Sequence, residues 1–103
     1  MTLLVELAVA RSGDKGDIVN IAVIAHDDAA YQRVVAAVTA ARVKTYFRDW
    51  VRGPVERYEL PNLGAVNFVL HGALGGGVAR TLRIDSLGKA MGLAVLRMEV
   101  PQE

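Results

Sequence analysis

Arg11-Ser12-Gly13-Asp14-Lys15-Gly16-Asp17 packs four charges and two glycines into seven residues. An apolar run lies on each side, Leu3 to Ala10 before it and Ile18 to Ala25 after it. In the first run Leu3, Val5, Leu7 and Val9 alternate with Leu4, Glu6, Ala8 and Ala10, the period of a strand. The second run is apolar on both faces except at Asn20, which suits a central strand. The expectation is two core strands that present a charged, glycine-bearing loop.

Working outward, Asp27 reads as a helix cap, and Tyr31, Val34, Val35 and Val38 repeat at helical spacing. Thr39 can cap a further helical run carrying Val43, Tyr46, Phe47, Trp50 and Val51, either as part of one bent helix or as a second one. The aromatic cluster Tyr46, Phe47 and Trp50 reads as core packing. Gly53-Pro54 ends the segment. Val55 to Leu60 and Ala65 to His71 read as strands, and the short Pro61-Asn62-Leu63-Gly64 connection makes them an antiparallel hairpin. The charges Glu56, Arg57 and Glu59 read as solvated or edge charges. Gly72 to Gly77 is a glycine-rich loop, and Val78 to Ile84 is either a helical turn or an extended piece. Asp85 is a plausible cap for a helix from Ser86 to about Leu93, in which Gly88 and Gly92 leave room for a close neighbour. Leu96 to Val100 is the last strand.

From the second strand onward the order is βαββαβ, the ferredoxin-like arrangement, with one extra N-terminal strand. The fold class is therefore α+β: a two-layer sandwich of a mainly antiparallel sheet with helices on one face. The chain has 103 residues, which predicts a single domain, 1–103. Hydrophobic residues make up 52% of it. That is a high share for a small monomer with a large relative surface, so a homo-oligomer or a partner subunit is expected to cover the second sheet face.

Twelve basic residues balance eleven acidic ones, for a net charge of +1. No polybasic run exists, so the electrostatic footprint of a nucleic-acid binder is missing. No apolar run approaches the roughly 18 residues of a membrane span. The N-terminus lacks the pattern of a signal peptide, and the sequence has no cysteine. A cytoplasmic location is the resulting expectation. Two distant histidines and no cysteine give no metal signature, and no cofactor is expected.

In the first loop, Ser12, Gly13 and Gly16 would let backbone N–H groups converge on an anion, with Arg11 and Lys15 adding positive charge. Lys15 is followed by glycine and then a strand, which excludes a Walker loop. The competing reading is a tight turn with solvated charges. Gly75, Gly76 and Gly77, followed by Arg80 and Arg83, form a second candidate anion seat. Asn67 and His71 lie four apart and share a sheet face. His71, Asp14 and Asp17 are the weak catalytic candidates, with His71 as a proton shuttle near neutral pH.

These stretches, with Asn20-Ile21, Val55 to Ala65, Asn67-Phe68, Gly72 to Gly77 and Arg83-Ile84-Asp85 with Gly88-Lys89, resemble the C-terminal domain of the acyclic terpene utilisation (AtuA) family. The resemblance covers nearly the whole chain. It implies a ferredoxin-like domain that follows a larger N-terminal domain in full-length members. It also implies a place in acyclic terpenoid breakdown through CoA thioesters. The chain then looks like the small domain as a separate polypeptide, acting as an accessory subunit beside a separate AtuA-like large chain. A CoA thioester or another anionic small molecule would be its ligand. The alternatives are a stand-alone hydratase or lyase acting on an acyl-CoA, and a simple anion- or metabolite-binding module.

Overall fold

The stretch that reads as a charged loop is a strand. The computed structural model describes residues 2–73 and 91–101. In it β2 runs from Ala8 to Lys15 and β3 from Ile18 to Ala25, paired in antiparallel register from Ala8↔Ala25 to Lys15↔Ile18. Only Gly16 and Asp17 remain as the turn. Gly16 has φ 63°, the left-handed value that a two-residue hairpin turn of type II′ assigns to a glycine at this place. Backbone N–H groups of residues 11–15 therefore belong to an extended strand rather than to a nest closing on one point.

The preceding run also divides. Thr2–Leu3 forms β1, and Leu4–Glu6 turns in a 3₁₀ loop before β2 begins. The Glu6 carboxylate accepts from the Leu3 N–H at 2.8 Å, and Leu7 N–H donates to the Leu4 carbonyl at 2.9 Å. Those two local bonds divert the backbone out of the extended path.

After β3, the Asp27 side chain accepts from Ala30 N–H at 2.7 Å and starts α1, Asp28–Ala37. Thr39 Oγ1 accepts from Arg42 N–H at 3.1 Å and starts α2, Ala40–Phe47, so the helical region is two helices. Phe47 is buried, with its ring edge-on to Tyr46 at 5.2 Å between centroids. Tyr46 is partly open and Trp50 is 53% exposed, so only Phe47 of the expected cluster joins the core. β4, Val55–Leu60, and β5, Ala65–His71, form the expected hairpin through a 3₁₀ turn at Pro61–Leu63, with Gly64 at φ 60°. Residues 91–95 form a third helical stretch, α3, which continues past Leu93. β6 is Glu99–Val100. The readings at 74–90, including the rest of the glycine loop and the Asp85 cap, lie outside the described residues.

The main sheet has the order β2-β3-β5-β4, all antiparallel. β3, β5 and β4 sit as the first three strands of a βαββαβ unit do, and β2 stands beside β3 where that unit's last strand would pair. The chain's last strand instead pairs with β1 as Thr2↔Val100, and the pairing is prolonged by Leu4 N–H to the Met98 carbonyl and Val5 N–H to the Leu96 carbonyl, both 2.8 Å. The extra N-terminal strand expected from sequence over residues 3 to 10 is thus divided between β1, which pairs with the last strand, and the start of β2, the hairpin partner of β3.

All the described helices cover one sheet face. Val19, Ile21 and Val23 of β3 and Val66, Phe68 and Leu70 of β5 are fully buried, in one cluster with Tyr31, Val34, Val38, Val43 and Phe47 of α1, its C-cap and α2, and Met91 and Val95 of α3. Each such large side chain contributes about 1.5–3 kcal/mol by leaving water. A one-residue slip of β3 would exchange its three valine and isoleucine contacts for Ile18, Asn20 and Ala22, which holds the register firmly. Arg57 corrects the reading of β4's charges. It points into the helix layer, donating to the Val35 and Val38 carbonyls at 2.8 and 3.2 Å and to Glu59 Oε2 at 2.9 Å. It thereby satisfies carbonyls at the end of α1.

α3 packs against β2 at Gly92, as the spacing of small residues suggests. Gly92 N–H donates to Ser12 Oγ at 3.2 Å, and a Cβ on Gly92 would stand 2.5 Å from that oxygen. Gly92→Ala is therefore expected to cost about 1–3 kcal/mol in a urea unfolding titration. Gly13→Ala, with nothing within 4 Å of an added Cβ, is expected to change stability by less than about 0.5 kcal/mol. Equal effects at the two positions would contradict this packing.

Candidate functional site on the open sheet face

Strand alternation sorts the predicted site residues. Ser12 and Asp14 fall on the helix-covered side of β2, where Ser12 Oγ is taken by Gly92. Arg11, Gly13 and Lys15 fall on the other side and are exposed. Asp14 is thus separated from His71 by the sheet and cannot share a proton with it. Asp17 is in the turn, and its carbonyl accepts from Ala73 N–H at 3.1 Å. This bond joins the hairpin turn to the start of the Gly72 to Gly77 loop within one chain. Gly75, Gly76, Gly77 and Arg80 lie outside the described residues.

Register places the rest of the open face in rows across the four strands. Val9, Ile24, Ala65 and Leu60 make the first row. Arg11, Ala22, Asn67 and Tyr58 make the second, and Gly13, Asn20, Val69 and Glu56 the third. Lys15, Ile18 and His71 make the fourth. Residues directly opposite each other in such rows have Cβ atoms about 5 Å apart. Arg11, Lys15, Asn20, Asn67 and His71 therefore do share one surface. No described element covers it, and Val9, Tyr58 and Leu60 are 40 to 50% exposed there.

Two polar groupings stand on this face. Arg11 and Lys15 flank Gly13 on the edge strand, with no ion-pair partner among the described residues. Gly13 leaves a gap between two cationic side chains, a notch open to an anion. On the opposite edge, Glu56 accepts from the Tyr58 hydroxyl through Oε1 and pairs with His71 Nε2 through Oε2 at 3.0 Å. The Tyr58 hydrogen bond, and after it His71, hold the Glu56 carboxyl below its ordinary 4.5. The same bond raises the Tyr58 phenol above its ordinary 10.0.

The Glu56–Tyr58–His71 group was not assembled by reading the sequence, which treats Glu56 as a solvated charge. The signal was present. The Pro61–Gly64 connection fixes Leu60 opposite Ala65, and counting back puts Glu56 opposite Val69, two residues before His71 on the same face. No group of three or more potential metal ligands gathers among the described residues, and none of their helices is long and apolar enough to cross a membrane.

Helices on one side of an antiparallel sheet and a polar-apolar mosaic on the other, which no described element covers, define a ferredoxin-like α+β domain. The family model of the AtuA ferredoxin-like domain matches residues 2–101, and the chain belongs to that family. No curated protein and no solved structure matches it.

Because its folded-state pKa is lowered, ionised Glu56 contributes stability that is fully present above 4.5 and is lost as pH falls through the folded value. Tyr58→Phe is expected to move the Glu56 titration upward, part of the way back to 4.5, in an NMR titration of the side-chain carboxyl. An unshifted curve would contradict the hydrogen bond.

Proposed function

We propose that this chain is an accessory subunit or domain of an AtuA-type system in acyl-CoA and terpenoid catabolism, and that its open sheet face supplies half of an anion-binding site. The observation that carries the reading is the Arg11–Gly13–Lys15 notch: two cations without ion-pair partners among the described residues, on one exposed face, with a side-chain-free gap between them. Asn20 lies directly across from Gly13, so an amide group borders the cations, and Asn67 stands further along the Arg11 row beyond Ala22. A phosphate or carboxylate suits this set, and the phosphates of CoA are the ligand that membership of the family suggests. The face is shallow, so a second surface would complete the site. That surface belongs to another polypeptide, either a further copy or an AtuA-like large chain.

A second reading, a hydratase or lyase acting on an acyl-CoA, is favoured by one observation, the His71–Glu56 pair at 3.0 Å. A carboxylate so placed orients an imidazole for proton transfer. Turnover of an acyl-CoA by the chain alone, lost in His71→Ala, would support it.

Calorimetry with CoA at low ionic strength is expected to show saturable binding. Lys15→Ala or Arg11→Ala should each weaken it about tenfold, the loss of one charge-assisted contact. Absence of binding to CoA and to inorganic phosphate would contradict the proposal.

A further inference from the structure

The open face is polarised across its width. Its β2 edge carries Arg11 and Lys15, and its β4 edge carries Glu56. Between them run Ile18, Ala22 and Ile24 of β3 and Ala65 and Val69 of β5, with Asn20 and Asn67 interspersed. A surface with a cationic edge, an apolar middle and an anionic edge is complementary to itself when turned over. Resting on the reading of the notch as an anion seat, we infer that in the absence of CoA the anion it takes is Glu56 of a second copy of this chain, which CoA displaces on binding, in a face-to-face dimer whose twofold axis runs parallel to the strands.

The rows fix what such an axis brings together. It exchanges β2 with β4 and β3 with β5 while keeping each row in place. Val9, 48% exposed, then lies over Leu60 of the second copy, 40% exposed, and both lose their contact with water. Arg11 lies over the second copy's Tyr58 ring, an arrangement for cation–π contact. Gly13 lies under the second copy's Glu56. The missing side chain at Gly13 leaves room for that carboxylate, with Arg11 and Lys15 one row away on either side. Ile18 meets His71, Ile24 meets Ala65, and Ala22 meets Asn67. The interface is isologous, so each contact occurs twice. Sheets packed this way keep their strands roughly aligned and about 10 Å apart. The other in-plane axis, perpendicular to the strands, would stack β2 on β2 and bring the two cationic edges together. Like charges so opposed disfavour it.

The test is charge exchange, read by analytical ultracentrifugation of the full chain. The wild type is expected to sediment as a dimer, near twice its 11.1 kDa. The double variant Arg11→Glu/Lys15→Glu sets acid against Glu56 and should be monomeric, with association weakened on the order of a hundredfold or more. Glu56→Lys sets base against base and should also be monomeric. Mixing the two variants makes both halves of the interface complementary again, and a heterodimer should form. Circular dichroism checks that each variant is folded, and recovery on mixing cannot come from misfolded chains. A monomeric wild type, a dimer indifferent to the single-sided changes, or variants that stay apart when mixed would each overturn the inference. A monomeric wild type that still binds CoA would remove the dimer and leave the anion seat standing. A charge-dependent dimer that binds no CoA would do the reverse.

Discussion

Pairing of Lys15 with Ile18 across the Gly16–Asp17 turn sets the register on which the molecule depends. Once that pair is fixed, period two decides the side of every residue from Ala8 to Ala25. Ala8, Ser12, Val19, Ile21 and Val23 are committed to the helix layer, and Arg11, Gly13, Lys15, Asn20 and Ala22 to the other side. A slip by one residue would bury Asn20 and turn the cations into the core. The hydrophobic cost of that exchange is what makes a charged edge strand well ordered.

This constraint also explains the division between structure and function within seven residues. Ser12 works for the fold, seating Gly92 of α3 close to the sheet. Arg11 and Lys15, its neighbours along the strand, have no such task among the described residues and face outward. Arg57 and Glu56 repeat the pattern on β4. The arginine caps carbonyls at the end of α1, while the glutamate stands on the open face with Tyr58 and His71. Each edge strand thus turns one set of polar residues inward as fasteners and offers the other set as surface.

Much of the fold was legible in the sequence. β3 and β5 begin and end where their apolar runs do, β4 spans the expected Val55 to Leu60, the Pro61–Gly64 connection gives the hairpin, and Asp27 and Thr39 cap helices as their positions suggest. The α+β class and the ferredoxin-like domain follow from that order. What was hidden was β2. Four charges and two glycines in a row look like a loop, and its covered face carries only Ala8, Ala10, Ser12 and Asp14, small or polar residues that give no hydrophobic alternation. The pairing of β6 with β1 was hidden as well, because two-residue strands have no periodicity to read. The site followed the same rule. Membership of one face by Asn67 and His71 was readable from spacing alone, whereas the union of Glu56 with His71 needs the hairpin register and side-chain geometry.

Residues 11–15 form an alternating strand with one face toward the helices and one toward the outside. The sequence contains no cysteine, so single cysteines can be placed at 11, 12, 13, 14 and 15 and their rates of alkylation compared at a dilution where ultracentrifugation shows the chain to be monomeric. An alternating strand gives fast reaction at 11, 13 and 15, and slow reaction at 12 and 14. Uniformly fast reaction along all five positions, as an open loop would give, would contradict it.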